Sequence, residues 1–246
     1  MKAFICIAYL GSVLLSFSTI RAQNVEILMT GGTFHKDQVN AQSGEEWYGL
    51  FAERHNYNLV RTTIQVTPGE WIEDKEGEKT GRIVSCDRPG KPLFLVRGID
   101  GLSEREVTTE FHGKNFFYPG QRMQVEGGLI TLTAFGTYQK NERPFSTGLR
   151  NYSVEYTIRG QDWHQYHLLA EYPVLTAEEG LPNLIWVGDL DNDGWVDMFW
   201  DLSGHYAVHI YTLFLSSLTK EGFLSSVTKG GEAVVKAAEL KISIGT

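Results

Sequence analysis

Four aspartates fall within nine residues of "LIWVGDLDNDGWVDMFWDL", Leu184 to Leu202: Asp189, Asp191, Asp193 and Asp197. Counted from Asp189 as position 1, carboxylates occupy positions 1, 3, 5 and 9, Gly194 position 6, and the carbonyl of Trp195 position 7. Calcium takes six to eight oxygens at about 2.3–2.6 Å, and a tight loop that turns alternate side chains inward supplies them, with glycine allowing the sharp bend. Left without a cation, crowded carboxylates raise one another's pKa. Magnesium fits less well, because it keeps several waters in a stricter octahedral shell. The chemistry expected here is calcium binding by Asp189, Asp191, Asp193, Asp197 and the main chain of Trp195.

An EF-hand would place a bidentate glutamate at position 12, where this chain has Trp200, and would flank the loop with helices. The flanks "LIWV" and "WVDMFW" are instead apolar runs of strand character. As a strand, an acidic loop and a strand, "GDLDNDGWVDM" resembles the calcium loop of FG-GAP and VCBS-type β-repeats over roughly residues 183–217. That resemblance implies a propeller-blade-like strand-loop-strand unit with the same five residues as ligands. It also implies company among exported adhesion proteins, enzyme accessory domains and proteins without assigned activity. The acidic loop occurs once, so a complete propeller of like blades is not expected. An ion enclosed by four carboxylates is expected to act as a structural clip, stabilising the fold by linkage.

Other residues could do chemistry. His164 and His167 precede the loop, and His205 and His209 follow it with Asp201; together they could build a zinc site. Spacings of three and four on strands cluster poorly, so ordinary strand histidines are the expectation, with His205 and Asp201 the first choice if a site exists. Trp47, Tyr48, Trp71, Trp163, Trp186, Trp195 and Trp200 could form an aromatic platform for sugars, but such residues are more often core. The segment "ILMTGGTF" resembles the nucleophile turn of L-asparaginases. The chain has no Thr-Asp dipeptide to complete that site, so the segment is read as a glycine turn after a strand. No Gly-x-Ser-x-Gly elbow, His-Glu-x-x-His helix or phosphate-cradling Gly-Lys motif is present.

The elements that must position these residues are strands. In "NYSVEYTIRG", Tyr152, Val154, Tyr156 and Ile158 alternate with Ser153, Glu155, Thr157 and Arg159, the pattern of a half-buried strand. "VEILMT", "LVRTTIQVT", "EVTTEF", "QRMQVE" and "LITLTAFGTY" read similarly, punctuated by turns at "TPGE", "RPGKP", "YPGQ" and "VEGG". The runs "NLIWV", "MFWDL" and "YTLFLSSL" predict strands covered on both faces. Helix signals are confined to one turn in "TAEEGLP" and a short helix in "GGEAVVKAAELK". The fold expected is all-β and antiparallel, a sandwich in preference to a closed barrel. A boundary near Gly160 would divide residues 23–160 from 161–246, with one continuous domain as the alternative.

Residues 1–22 carry Lys2, an apolar run from Ala3 to about Phe17 and small residues ending at Ala22, the pattern of a secretory signal peptide. At roughly 15 residues the run is shorter than the ~20 a membrane helix needs. The chain holds 22 Lys and Arg against 30 Asp and Glu; without residues 1–22 the balance is 20 against 30. Such acidity argues against nucleic acid and anionic membranes as partners. Cys86 alone remains beyond residue 22, which leaves no intramolecular disulfide and puts stability on the core and on any bound ion. The expected protein is therefore secreted or periplasmic, carries one structural calcium, and binds an unknown protein or glycan ligand. A secreted hydrolase acting on glycans, with its cleft between the N-terminal sheet and the C-terminal strands, is the alternative.

Overall fold

The computed structural model describes residues 24–53, 56–140, 147–159, 164–176, 180–219 and 234–243. The leader-like segment 1–22 and Trp163 lie outside the described residues, as do positions 177–179 of "TAEEGLP". Among the described residues sixteen strands form three antiparallel sheets.

The first sheet has the order β1-β6-β3-β4-β5-β2: β1 (Glu26–Leu28), β6 (Leu95–Arg97), β3 (Glu46–Glu53), β4 (Asn56–Gly69), β5 (Gly81–Cys86) and β2 (Thr33–Phe34). β7 (Arg105–Val107) also pairs with β4, along Tyr57–Leu59. The second sheet has the order β12-β11-β10-β9: β12 (His164–Thr176), β11 (Thr147–Arg159), β10 (Ile130–Lys140) and β9 (Arg122–Val125). The third has the order β16-β15-β14-β13-β8: β16 (Val235–Ser243), β15 (Val208–Leu215), β14 (Asp197–Asp201), β13 (Asn183–Gly188) and β8 (Thr109–Phe116).

The third sheet is the middle layer. On one face Trp186, Phe199, Leu213 and Leu215 pack with Leu50, Leu59, Phe94 and Val96 of the first sheet and its connections. On the other, Leu184, Val187, Met198, Trp200 and Phe214 pack with Leu132, Val154, Tyr156 and Ile158 of the second. A strand that buries both faces has no solvent side to mark with polar residues, which is why these segments read as continuous apolar runs. The outer strands keep the alternation: in β11, Tyr152, Val154, Tyr156 and Ile158 are buried while Ser153, Glu155 and Thr157 are half-buried and Arg159 exposed. A smaller cluster around Trp47, Ile64, Val84 and Ile242 closes the first sheet against β16. Cys86 is half-buried, its thiol 3.7 Å from the carbonyl of Arg88.

The fold is thus all-β and sandwich-like. The helix expected in "GGEAVVKAAELK" is not formed: from Val235 onward this segment is strand β16, paired with β15 from Leu215↔Val235 to Val208↔Ser243. Ala238 and Ile242 are buried on one side of it. Helix propensity is worth tenths of a kcal/mol per residue and yields to a ladder plus a buried face. The position proposed as a boundary, Gly160, falls between β11 and β12, which pair over nearly their full length. β8 likewise pairs with β13, so two sheets and both large cores contain residues from each side of that position.

Candidate functional site

The β13–β14 hairpin carries the acidic loop. It starts at Gly188, where a Cβ would stand 2.3 Å from the carbonyl oxygen of Thr108 and 2.5 Å from the ring of Trp186, so only glycine lets β8 and β13 approach there. Asn192 and Gly194 take positive φ, 66° and 91°, a region asparagine tolerates and glycine enters freely. The loop's own carboxylates brace these bends. Asp189 Oδ2 accepts from Gly194 N at 3.1 Å, Asp191 Oδ1 from Asp193 N at 3.3 Å, and Asp193 Oδ1 from Trp195 N at 2.9 Å. Two serines beyond the end of β15 close the loop from outside. Ser216 donates from N to Asp197 Oδ1 at 2.9 Å and from Oγ to Asp193 Oδ2 at 2.7 Å, while Ser217 Oγ donates to Asp191 Oδ2.

Asp189, Asp191 and Asp197 converge, each offering an oxygen within 4.8 Å of the others. Oxygens on opposite sides of one calcium stand about 4.6–5.2 Å apart, twice the usual bond length. This trio can hold a metal ion, and among the described residues it is the one group of three or more metal-donor side chains that meets this closeness. Asp193 is not in the trio; it spends both oxygens on Trp195 N and Ser216. Trp195 is half-buried, its ring against the core between the second and third sheets.

The electrostatics suit a cation. Asp197 is fully buried, and burial followed by the charge of Asp191 pushes its pKa well above the carboxylate range, although Leu190 N and Ser216 N donate to it. Burial also raises Asp191, against the opposing hydrogen bond from Ser217. Asp189 Oδ1 is buried without a hydrogen-bond partner. Arg105 Nη2 donates to the carbonyl of Asp189 at 3.0 Å and Nη1 to that of Glu106 at 3.3 Å.

Glu126 is a neighbour of the loop that sequence reasoning missed. It sits in the 3-10 turn Glu126–Gly128 between β9 and β10, with φ 54°, and its Oε1 accepts from Val196 N at 2.5 Å. Its pKa is raised by burial first, then by Glu110, Asp193 and Asp189. The sequence registers this residue only as part of the turn "VEGG"; the left-handed backbone that aims it at the loop leaves no trace in residue type.

At the other end of the same hairpin Asn183 pairs with Asp201, and here the histidines matter. Asp201 Oδ2 lies 2.5 Å from His209 Nδ1, and Oδ1 accepts from Ser203 N and Ile210 N, both at 3.1 Å. Burial pushes the Asp201 pKa up, but the hydrogen bond and charge of His209, with the two backbone donors, outweigh it, and the net shift is downward. His209 stacks on Tyr211, which stacks on Phe199. Asp201 pairs with His209 and not with His205, the first choice had a histidine site existed. His205 is exposed, accepts from Ala207 N at Nδ1 and stacks on Tyr206. His167 stacks on Tyr156 in the second sheet, and the side chain of His164 lies outside the described residues. His205 lies in the connection between β14 and β15, and period two puts His209 on the sheet face that Tyr211 and Asp201 share.

Trp47, Trp186 and Trp200 are core, whereas Trp71 borders an open cleft between the first and third sheets. The carboxylates lining that cleft are Asp201 and Glu70, in separate parts of it. No described helix is long and apolar enough to cross a membrane. Comparison with known proteins gives no match: no family model, curated protein or solved structure matches this chain.

Proposed function

We propose that this is an exported β-protein in which one calcium ion at the β13–β14 loop clips the loop to the end of β15, leaving the rest of the molecule to a binding or envelope role. The observation that carries this reading is the trio Asp189, Asp191 and Asp197, one fully buried, with an unpartnered buried oxygen on Asp189. Asp193 and the carbonyl of Trp195 complete the shell suggested by the FG-GAP-like pattern, and Glu126, bonded to Val196 N beside the loop, is a candidate to join it. Calcium in preference to magnesium follows from the all-oxygen, carboxylate-rich donor set. Export is supported by the charge and hydropathy of residues 1–22. Outside the cell, calcium is abundant enough to fill sites with Kd of about 10⁻⁴–10⁻³ M.

The test is thermal melting with calcium and with a chelator. At calcium one hundred times Kd the ion adds about 2.7 kcal/mol, so Tm should fall by roughly 5–10 °C on chelation and recover with calcium but not with magnesium. An Asp191→Ala protein should melt at one temperature in both conditions. A parent protein indifferent to the chelator, with no bound metal by elemental analysis, would sink the reading.

A further inference from the structure

Between the first and third sheets the apolar core stops short of the molecular edge. On the shared face of β14, Phe199 is followed two residues on by Asp201; on β15, Leu213 is preceded by Tyr211 and then His209. The face therefore turns polar at the level where Asn183 pairs with Asp201. The space beyond is two adjoining cavities of about 810 and 640 Å³ that share Met29, Lys91, His209 and Tyr211. Each is the size of a small-molecule site, so the joined cleft suits an extended ligand.

Three features constrain the occupant. Asn183 Oδ1 and Thr30 Oγ1 are buried without a hydrogen-bond partner, in residues only 6% and 7% exposed, and each lines one of the two cavities. His209 Nδ1 is engaged by Asp201, which leaves Nε2 to hydrogen-bond a ligand beside them. A ligand rich in hydroxyl groups satisfies such acceptors.

The second feature is charge. In a chain of 30 acids against 22 bases, the wall of the larger cavity carries Lys91 and Lys114. Its one carboxylate, Asp201, already serves His209 and two backbone donors. Neither lysine has an ion-pair partner among the described residues. Gly31, at φ 81°, makes room for Lys91: a Cβ there would stand 3.2 Å from Nζ. Lysines without ion-pair partners in a cleft of an acidic protein favour an anion. The third feature is the exposed rings on the rim, Tyr206 at 62%, Tyr118 at 48% and Phe116 at 42%. Flat aromatic faces with a polar tip suit a partner that is apolar on its face and polar at its edge.

We propose that this cleft binds an acidic oligosaccharide. Lys91 and Lys114 hold its carboxylate or sulfate groups, Asn183 Oδ1 accepts from its ring hydroxyls, His209 Nε2 hydrogen-bonds a further hydroxyl, and Tyr206 and Tyr118 stack on the C–H faces of its rings. The site is separate from the acidic loop, since the length of β13 puts about 17 Å between the two ends of the hairpin.

Isothermal titration of the full chain with four probes tests this: trigalacturonate, a heparin-derived tetrasaccharide, cellotriose and pentaglutamate. At least one acidic saccharide should bind about tenfold or more tighter than cellotriose and pentaglutamate, and the first two probes tell carboxylate from sulfate recognition. Lys91→Ala and Tyr206→Ala should each weaken that binding about tenfold while leaving Tm unchanged. Absence of binding by both acidic saccharides, equal binding of cellotriose or pentaglutamate, or indifference to both substitutions would overturn the proposal. Asp191→Ala, titrated below its melting temperature, should bind as the parent does, so failure of the calcium reading is distinguishable from failure of this one. Loss of binding in that variant would overturn placement of the site in the cleft.

Discussion

Asp197 and Asp201 stand on the same face of β14 with Phe199 between them, and both are buried. Each accepts two backbone N–H groups: Leu190 and Ser216 at one end, Ser203 and Ile210 at the other. Yet their pKa values move in opposite directions. At Asp197 burial is reinforced by Asp191 and Asp193, whereas at Asp201 burial is outweighed by His209. What a buried acid does is decided less by its depth than by the charge beside it. One end of the hairpin gathers carboxylates that could hold a metal ion; at the other an imidazole is hydrogen-bonded to the acid.

The sharpest way to break this comparison is to delete each carboxylate. Asp197→Ala leaves two N–H groups without an acceptor in a site closed to water, at about 1–3 kcal/mol each. A loss of ~4 kcal/mol corresponds to a fall in Tm of about 10 °C, and the response to calcium should vanish. Asp201→Ala also frees two N–H groups, but the adjoining cleft admits water to replace the acceptor. It should cost about 2 kcal/mol, near the low end of the same range, and leave the calcium response intact. Equal losses with equal calcium responses would mean that the two ends do not differ as described.

How much of this was legible follows from the same strand. The acidic loop declared itself by spacing, because loop ligands lie close in sequence. The three-layer packing declared itself through the unbroken apolar runs of β13, β14 and β15. The pairing of Asp201 with His209 did not, although a signal was present. In "VDMFWDL" the face-sharing set is Asp197, Phe199, Asp201, and in "VHIYTLFL" it is His209, Tyr211, Leu213, Leu215. A polar residue on the buried register of each strand, at the same end of the ladder, marks where a core opens into a cleft. Spacing within one segment argued for ordinary strand histidines and named His205 only conditionally, because it says nothing of which strand lies alongside. Glu126 was beyond reach altogether: 70 residues separate it from its partner Val196, and only tertiary packing joins them. The β16 segment misled in the opposite sense, since its Ala, Glu and Lys content reports a helix propensity that pairing with β15 overrides.

A pH series sharpens the comparison at intermediate scale. In the metal-free protein Asp197 and Asp191 have raised folded-state pKa values, so the folded chain takes up protons before the unfolded chain does. Stability must then rise as pH falls from neutrality towards those values. Asp201 has the opposite sign. Its lowered pKa contributes stability that is present above the unfolded value of about 3.9 and is lost only as pH falls through the folded one. In chelator, Tm should therefore increase as pH is lowered from neutrality towards the ordinary carboxylate range, before carboxylates with ordinary or lowered pKa titrate. Asp191→Asn should flatten that rise and Asp201→Asn should leave it. With calcium bound the rise should disappear, because the cation already neutralises the cluster. A metal-free Tm that falls over this interval would show that the acidic end carries no electrostatic strain.

The smallest effect concerns Glu126, which shares the acidic end without belonging to the loop. Glu126→Gln keeps an oxygen to accept from Val196 N and removes a charge that faces Asp189 and Asp193. Its side chain is only half-buried, so solvent screening holds the relief to under about 1 kcal/mol. In chelator the variant should melt at or slightly above the parent. In calcium the order should reverse if Glu126 contributes an oxygen to the ion, because a neutral amide is a weaker ligand for a hard cation than a carboxylate. The crossing of the two melting curves is the diagnostic. A variant that is shifted equally in both conditions assigns Glu126 to bracing Val196 alone, and confines the cation's ligands to the hairpin that the aspartate spacing picked out.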